Sequence, residues 1–302
     1  MTLRFVSSCI RSILALKITH FHFIGNNMRS HPSLHQIYKK AKYFSMKHDS
    51  YFSVYEELFS AYVDQDITFV EIGVLNGGSL MMWREFFGPK ATIIGIDLNP
   101  AAKELEKDGF KIFIGSQSDP LFWDNFFAQV GAVDIVLDDG GHTNRQQIIT
   151  TDKCIPYIKD GGKLVIEDAH TSYFPEFGNP SQFSFINFAK RLVDSVNSRF
   201  PAVNVVKNTY GQQVYSVSFY ESIVSFSIDR KKCFVSKPVT NDGITANNKD
   251  FRYKGTIQEF FYRAKRVLNY VPLLNLLTNR VFDFLIHYSF RKEASQVKKY
   301  FR

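Results

Sequence analysis

Two short stretches concentrate carboxylates, glycines and histidine directly after apolar runs. VLDDGGHTN (136–144) holds Asp138, Asp139, Gly140, Gly141 and His142, and LVIEDAHTSY (164–173) holds Glu167, Asp168 and His170. Carboxylates gathered without a counter-charge repel and raise one another's pKa values, and a divalent cation removes that cost. All-oxygen ligation by Asp139, Glu167 and Asp168 suits Mg2+, with water or substrate oxygens in the remaining positions; zinc would draw more nitrogen and sulfur. A hydroxyl held beside such an ion loses its proton more readily. His142, three residues past Asp139 across two glycines that let the chain turn sharply, is the candidate general base. His170 is the rival base. Asp138 diverges from Asp139 by strand alternation and faces the cofactor side of the cleft, or else caps the helix expected near Thr143.

The elements that must position these groups are short apolar runs. ITFVEIGV (67–74), TIIGIDLN (92–99), KIFIGSQ (111–117), VDIVLDD (133–139) and KLVIEDA (163–169) each end in acid, amide or glycine, with helical-length segments between them. Nearly continuous apolar strands separated by helices predict an α/β fold, a doubly wound, mostly parallel, Rossmann-like sheet covered on both faces. Such sheets bind ligands beyond the carboxyl ends of their strands, where the acids stand. VYSVSFYE and SIVSFSID (214–229) predict an antiparallel pair at the sheet edge. Residues 34–62 read as helical, with Tyr51, Val54, Tyr55, Leu58, Phe59 and Tyr62 on one face. Residues 256–270 read as an amphipathic helix ended by Pro272, with further apolar helical sequence beyond it.

The first loop, EIGVLNGGS, supplies Glu71, Gly73, Gly77 and Ser79 but lacks the GxGxxG spacing that brings a helix N-terminus to a pyrophosphate. A carboxylate there repels a pyrophosphate and attracts a sulfonium, so S-adenosyl-L-methionine is the expected cofactor. Asp97, ending the second strand, is placed for ribose hydroxyls, and Gln117, Ser118 and Asp119 for the adenine edge.

Taken together, VLDDGGHTN and PYIKDGGKLVIEDAHTSYFPEFG resemble the metal-dependent sugar O-methyltransferases of macrolide biosynthesis, of the mycinamicin and tylosin pathway type, over residues 42–229. That resemblance implies a class I methyltransferase fold, Mg2+ on Asp139, Glu167 and Asp168, His142 as base, and a sugar hydroxyl as acceptor. Ser116 departs from it, standing where the pattern leads one to expect an acid, and the basic tail has no counterpart in it.

Charge is segregated along the chain. Residues 1–48 hold eight Lys/Arg and no Asp/Glu, residues 49–229 hold 13 against 24, and residues 230–302 hold 16 against five. The expected division is a basic extension at 1–33, a methyltransferase domain at 34–232 and a basic, aromatic-rich helical extension at 233–302. The ends carry no zinc-finger or ribonucleoprotein motif, so no nucleic-acid partner is expected. A sugar or glycoside acceptor is expected, with peripheral membrane contact through the basic C-terminal helices or a homo-oligomer interface as roles for the tail. Arg4, Arg11 and Lys17 interrupt the apolar N-terminus, which predicts neither a spanning helix nor a signal peptide, and Met28 is an alternative start. Cys9, Cys154 and Cys233 are scattered, which fits a reducing cytoplasm, with the protein either free or peripheral at the membrane. Two other readings stand beside sugar methylation: a catechol-type O-methyltransferase, and a non-catalytic scaffold that binds membrane or partner through its basic ends.

Overall fold

The structure, a computed structural model, describes residues 32–301 apart from 179–181, 202, 204–207, 245–250 and 269–274. The expectations for the N-terminal extension up to residue 31, for Met28 and for Pro272 lie outside the described residues.

Seven strands form one sheet: β1 (Thr68–Ile72), β2 (Thr92–Asp97), β3 (Lys111–Ile114), β4 (Val133–Asp138), β5 (Ile158–Ile166), β6 (Val214–Phe219) and β7 (Val224–Ile228). Their order is β3-β2-β1-β4-β5-β7-β6. The first five are parallel, while β7 runs antiparallel to both β5 and β6. The expected parallel sheet with an antiparallel edge is what the chain forms.

Alternation along each strand explains why the runs are apolar throughout. Phe69, Ile93, Ile135, Leu137 and Val165 point into one core, shared with Tyr55, Phe59, Trp83 and Phe87. Val70, Ile94, Val136, Leu164 and Ile166 point into a second core with Trp123, Phe126, Phe127 and Phe185. The first core is closed by α1 (Leu34–Lys39), α2 (Tyr51–Phe59) and α3 (Gly78–Phe87), the second by α4 (Pro120–Val130), α5 (Asn144–Cys154) and α6 (Phe185–Asn197). Neither face of the sheet can therefore be polar.

The segment 34–62, read as helical, holds two helices with an irregular stretch between them. The chain leaves helical structure at Lys40 and crosses residues 40–50 without regular hydrogen bonding before α2 begins. The cause is tertiary: this strap packs over the start of α3, so close that a side chain on Gly78 would lie 2.3 Å from the Tyr43 carbonyl.

Contacts divide the chain into Met1–Lys237 and Pro238–Arg302. The second unit contains α7 (Ile257–Leu268), α8 (Asn275–Ser289) and α9 (Arg291–Val297). Lys265 Nζ lies 2.6 Å from Asp283 Oδ1 and ties α7 to α8. Among the described residues no helix is long and apolar enough to cross a membrane.

Candidate active site

Strand register puts the acids at one edge. Ile72 is paired with both Ile96 and Asp138, and Asp138 with Ile166, so the chain segments after β1, β2, β4 and β5 emerge side by side. Backbone bonds continue the ladder one residue further, with Asp139 N donating to the Ile72 carbonyl and Glu167 N to the Asp138 carbonyl, each at 2.9 Å. They open into a cavity of about 750 Å³, lined among others by Gly73, Asp97, Gln117, Asp139, His142, Glu167 and Asp168.

Alternation then separates Asp138 from Asp139. Asp138 is buried and accepts from Gln117 Nε2 at 2.9 and 2.8 Å and from Gly140 N at 3.1 Å. Burial pushes its carboxyl upward, against the pull of those donors. It neither lines the cavity nor caps α5, whose N-terminus Thr143 and Gln146 close with a reciprocal capping box. Gln117 reaches the cavity wall, but its amide is committed to Asp138, to Thr150 Oγ1 at 3.1 Å and to Gly141 N at 3.0 Å. The two glycines, expected to let the chain turn sharply, also serve space, and neither adopts the left-handed conformation. A Cβ on Gly140 would lie 1.9 Å from Gln117 Oε1, and one on Gly141 2.3 Å from Gln146 Nε2. The left-handed turn falls on His142 itself, at φ 57°, and Asp168 adopts the same conformation at φ 52°. Such positions cost roughly 1–3 kcal/mol each and persist only where the surroundings hold them.

Those two strained residues meet. His142 Nε2 stands 3.3 Å from Asp168 Oδ2, with Nδ1 buried and unpartnered, and the His142 carbonyl accepts from Thr171 Oγ1 at 2.8 Å. Asp139, His142 and Asp168 each offer a ligand atom, all within 4.8 Å of one another. The Tyr51 hydroxyl donates to Asp168 Oδ1 at 2.5 Å and fixes its other oxygen. His170 instead turns to the Ser222 hydroxyl and does not line the cavity.

Glu71, Gly77, Ser79 and Ser118 do not line the cavity either. Glu71 is fully buried beneath it, accepting from Ser79 Oγ at 2.7 Å and Trp83 Nε1 at 3.2 Å, so its neighbours satisfy it inside the fold. Ser118 is held through its backbone, its carbonyl accepting from Arg145. Asp119 caps α4. Asp97 does face the cavity, its oxygens oriented by Val74 N at 3.0 Å and Asn99 N at 2.8 Å, leaving lone pairs for a ligand diol.

The residue that sequence reasoning missed is Lys47. Its ammonium donates to Asp139 Oδ2 at 2.6 Å, to both Glu167 oxygens at 3.1 Å and to Glu71 Oε1 at 3.4 Å. Burial alone would lower its pKa, but Asp139, Glu167 and Glu71 outweigh that and hold it well above the usual lysine value. Burial, then the Asp139 charge, drive Glu167 the other way for a carboxylate, well upward, although Lys47 and the Tyr55 hydroxyl at 2.5 Å both donate to it. One ammonium is shared among three carboxylates. No spacing signal marks Lys47, which pairs with groups 92 and 120 residues away.

Residues 70–169 match a family described as a methyltransferase domain. The mycinamicin VI 2''-O-methyltransferase of Micromonospora griseorubida is 32% identical over 188 residues, 55% of this chain and 46% of that protein. The 8-demethyl-8-alpha-L-rhamnosyl tetracenomycin-C 2'-O-methyltransferase of Streptomyces olivaceus is 32% identical over 158 residues, 49% of this chain and 41% of that protein. This chain thus spans less than half the length of these relatives. Among solved structures, MycE methyltransferase from the mycinamycin biosynthetic pathway, in complex with Mg and SAH, is similar at 26% identity and a TM-score of 0.60, over 74% of this chain and 60% of that one. The doubly wound sheet is a Rossmann-like methyltransferase fold, and the resemblance to macrolide sugar O-methyltransferases is borne out.

Proposed function

We propose, from a chain whose residues 70–169 carry a methyltransferase domain, that it transfers a methyl group from S-adenosyl-L-methionine to a hydroxyl of a sugar or glycoside. The single observation that carries this reading is the convergence of Asp139, His142 and Asp168 within 4.8 Å on a cavity at the carboxyl ends of the strands. The relatives' named substrates are glycosides, which supports a sugar acceptor.

The residues suit both helpers. The cofactor would lie against Gly73 and Asp97, whose oriented carboxylate suits a ribose diol. The N-terminus of α3 is covered by Tyr43 and Phe44, which disfavours a pyrophosphate there. Asp139 and Asp168 are hard oxygen donors open to the cavity, with side chains 20% and 19% exposed, and suit Mg2+. Glu167, the third carboxylate at this edge, would join them once released by Lys47. When bound, the ion would acidify and orient an acceptor hydroxyl. His142, at the same cavity, would accept that proton, and the cavity wall would hold the oxygen in line with the sulfonium methyl.

Labelled-methyl transfer to activated sugars and glycolipids in the presence of magnesium tests the reading. Transfer to a saccharide that stops in EDTA is the expected result. Transfer to catechols alone selects the catechol-type alternative, and calorimetry without any cofactor heat selects the scaffold. A second reading concerns the tail: α7 exposes Ile257, Phe260 and Val267 beside Arg263 and Arg266, which supports contact with an anionic membrane surface.

A further inference from the structure

Lys47 deepens the metal reading above and rests on it. Its side chain is only 1% exposed, yet it is carried by the irregular strap 40–50, whose Phe44 and Met46 are 64% and 76% exposed. The strap has few polar ties. Tyr38 Oη donates to the Ser45 carbonyl at 2.7 Å, Tyr43 Oη to Asp108 Oδ2 at 2.9 Å, and Lys47 enters the carboxylates. Met46, Lys47 and His48 form one wall of the cavity. Tyr43 and Lys42 anchor one end of the strap at Asp108, and at the cavity end the tie to the carboxylates is one ammonium on a flexible stem.

That ammonium occupies both oxygens of Glu167 and one of Asp139, the carboxylates a divalent ion would use together. Glu167 has lone pairs enough for both cations, but a divalent ion on Asp139 and Glu167 would stand beside the ammonium, and two cations at that range repel. We propose that Lys47 is a tethered cation that the divalent ion displaces from Asp139 and Glu167, so that metal binding releases the 40–50 strap and opens that wall of the cleft. Without metal, the lysine keeps the carboxylates gathered and the strap closed.

The test titrates magnesium chloride into the full chain and into Lys47→Met, following heat and hydrogen exchange of the strap. Lys47→Met should bind magnesium at least tenfold more tightly, and the strap of the wild-type chain should exchange faster as magnesium saturates. If removing the ammonium destabilises the metal-free variant, its melting temperature should rise with magnesium more steeply than that of wild type. Equal or weaker affinity in Lys47→Met, a strap indifferent to magnesium, or a variant that magnesium does not refold would each overturn the proposal. So would the absence of binding in both proteins, which would also remove the metal reading. Tighter binding together with a strap that responds, but no methyl transfer to any acceptor, would leave this inference standing and overturn the proposed reaction.

Discussion

His142 carries an unusual backbone conformation to reach its place. A histidine at φ 57° whose ring nitrogen meets Asp168, itself at φ 52°, is held against its local preference by the Thr171 bond to its carbonyl and by the Tyr51 bond to Asp168. Strain of this kind clusters where geometry serves chemistry. His142→Ala should lower kcat by roughly 10²- to 10⁴-fold, the usual contribution of a positioned base, and leave cofactor affinity unchanged by calorimetry. A matching loss of cofactor binding would contradict its assignment as a base. His142 and the carboxylates were legible in the sequence because their spacing concentrates charge after apolar runs. The duties of Gln117 and Glu71 were not, because a buried amide and a buried acid look the same in sequence whether they face a ligand or one another.

At the scale of elements, the crossing of the β1 and β4 ends depends on a missing side chain. Gly73 sits at φ 82°, and a Cβ there would lie 2.1 Å from the Asp139 carbonyl. Gly131 has a similar φ of 77° with nothing within 4 Å of such an atom. Gly73→Ala should therefore cost at least about 2 kcal/mol more than Gly131→Ala in urea unfolding, since only the first adds overpacking to the left-handed penalty. Equal costs would mean that the Asp139 loop yields easily and does not fix the site. Strand positions were readable because two-sided burial imposes long apolar runs, whereas the break in 34–62 was not. The periodic aromatics of α2 mask a strap whose path is set by α3 and by the acids at the ends of β4 and β5.

Across the whole molecule, the residues of both cores lie between Leu34 and Ile228. Contacts divide the chain after Lys237, close to the sequence-derived limit at residue 232. A chain ending at Lys237 should keep a cooperative unfolding transition and bind S-adenosyl-L-methionine with the affinity of the full chain, as read by circular dichroism and calorimetry. It should also lose any salt-sensitive flotation with anionic vesicles, because the basic α7–α9 unit is absent. Flotation that survives the truncation would shift the membrane contact to the first unit.

The sequence by itself determined the layered sheet, its antiparallel edge and the row of acids beyond its strands. Each of these follows from short-range rules: two-sided burial demands apolar runs, and polar residues mark where a strand leaves the core. Only the tertiary structure decided which acids face the cleft, that the glycines of DDGGH make room for Gln117 and Gln146, and that an ammonium from residue 47 stands among Glu71, Asp139 and Glu167. Those outcomes depend on contacts between residues far apart in the chain, where packing and charge balance choose partners that local spacing does not encode.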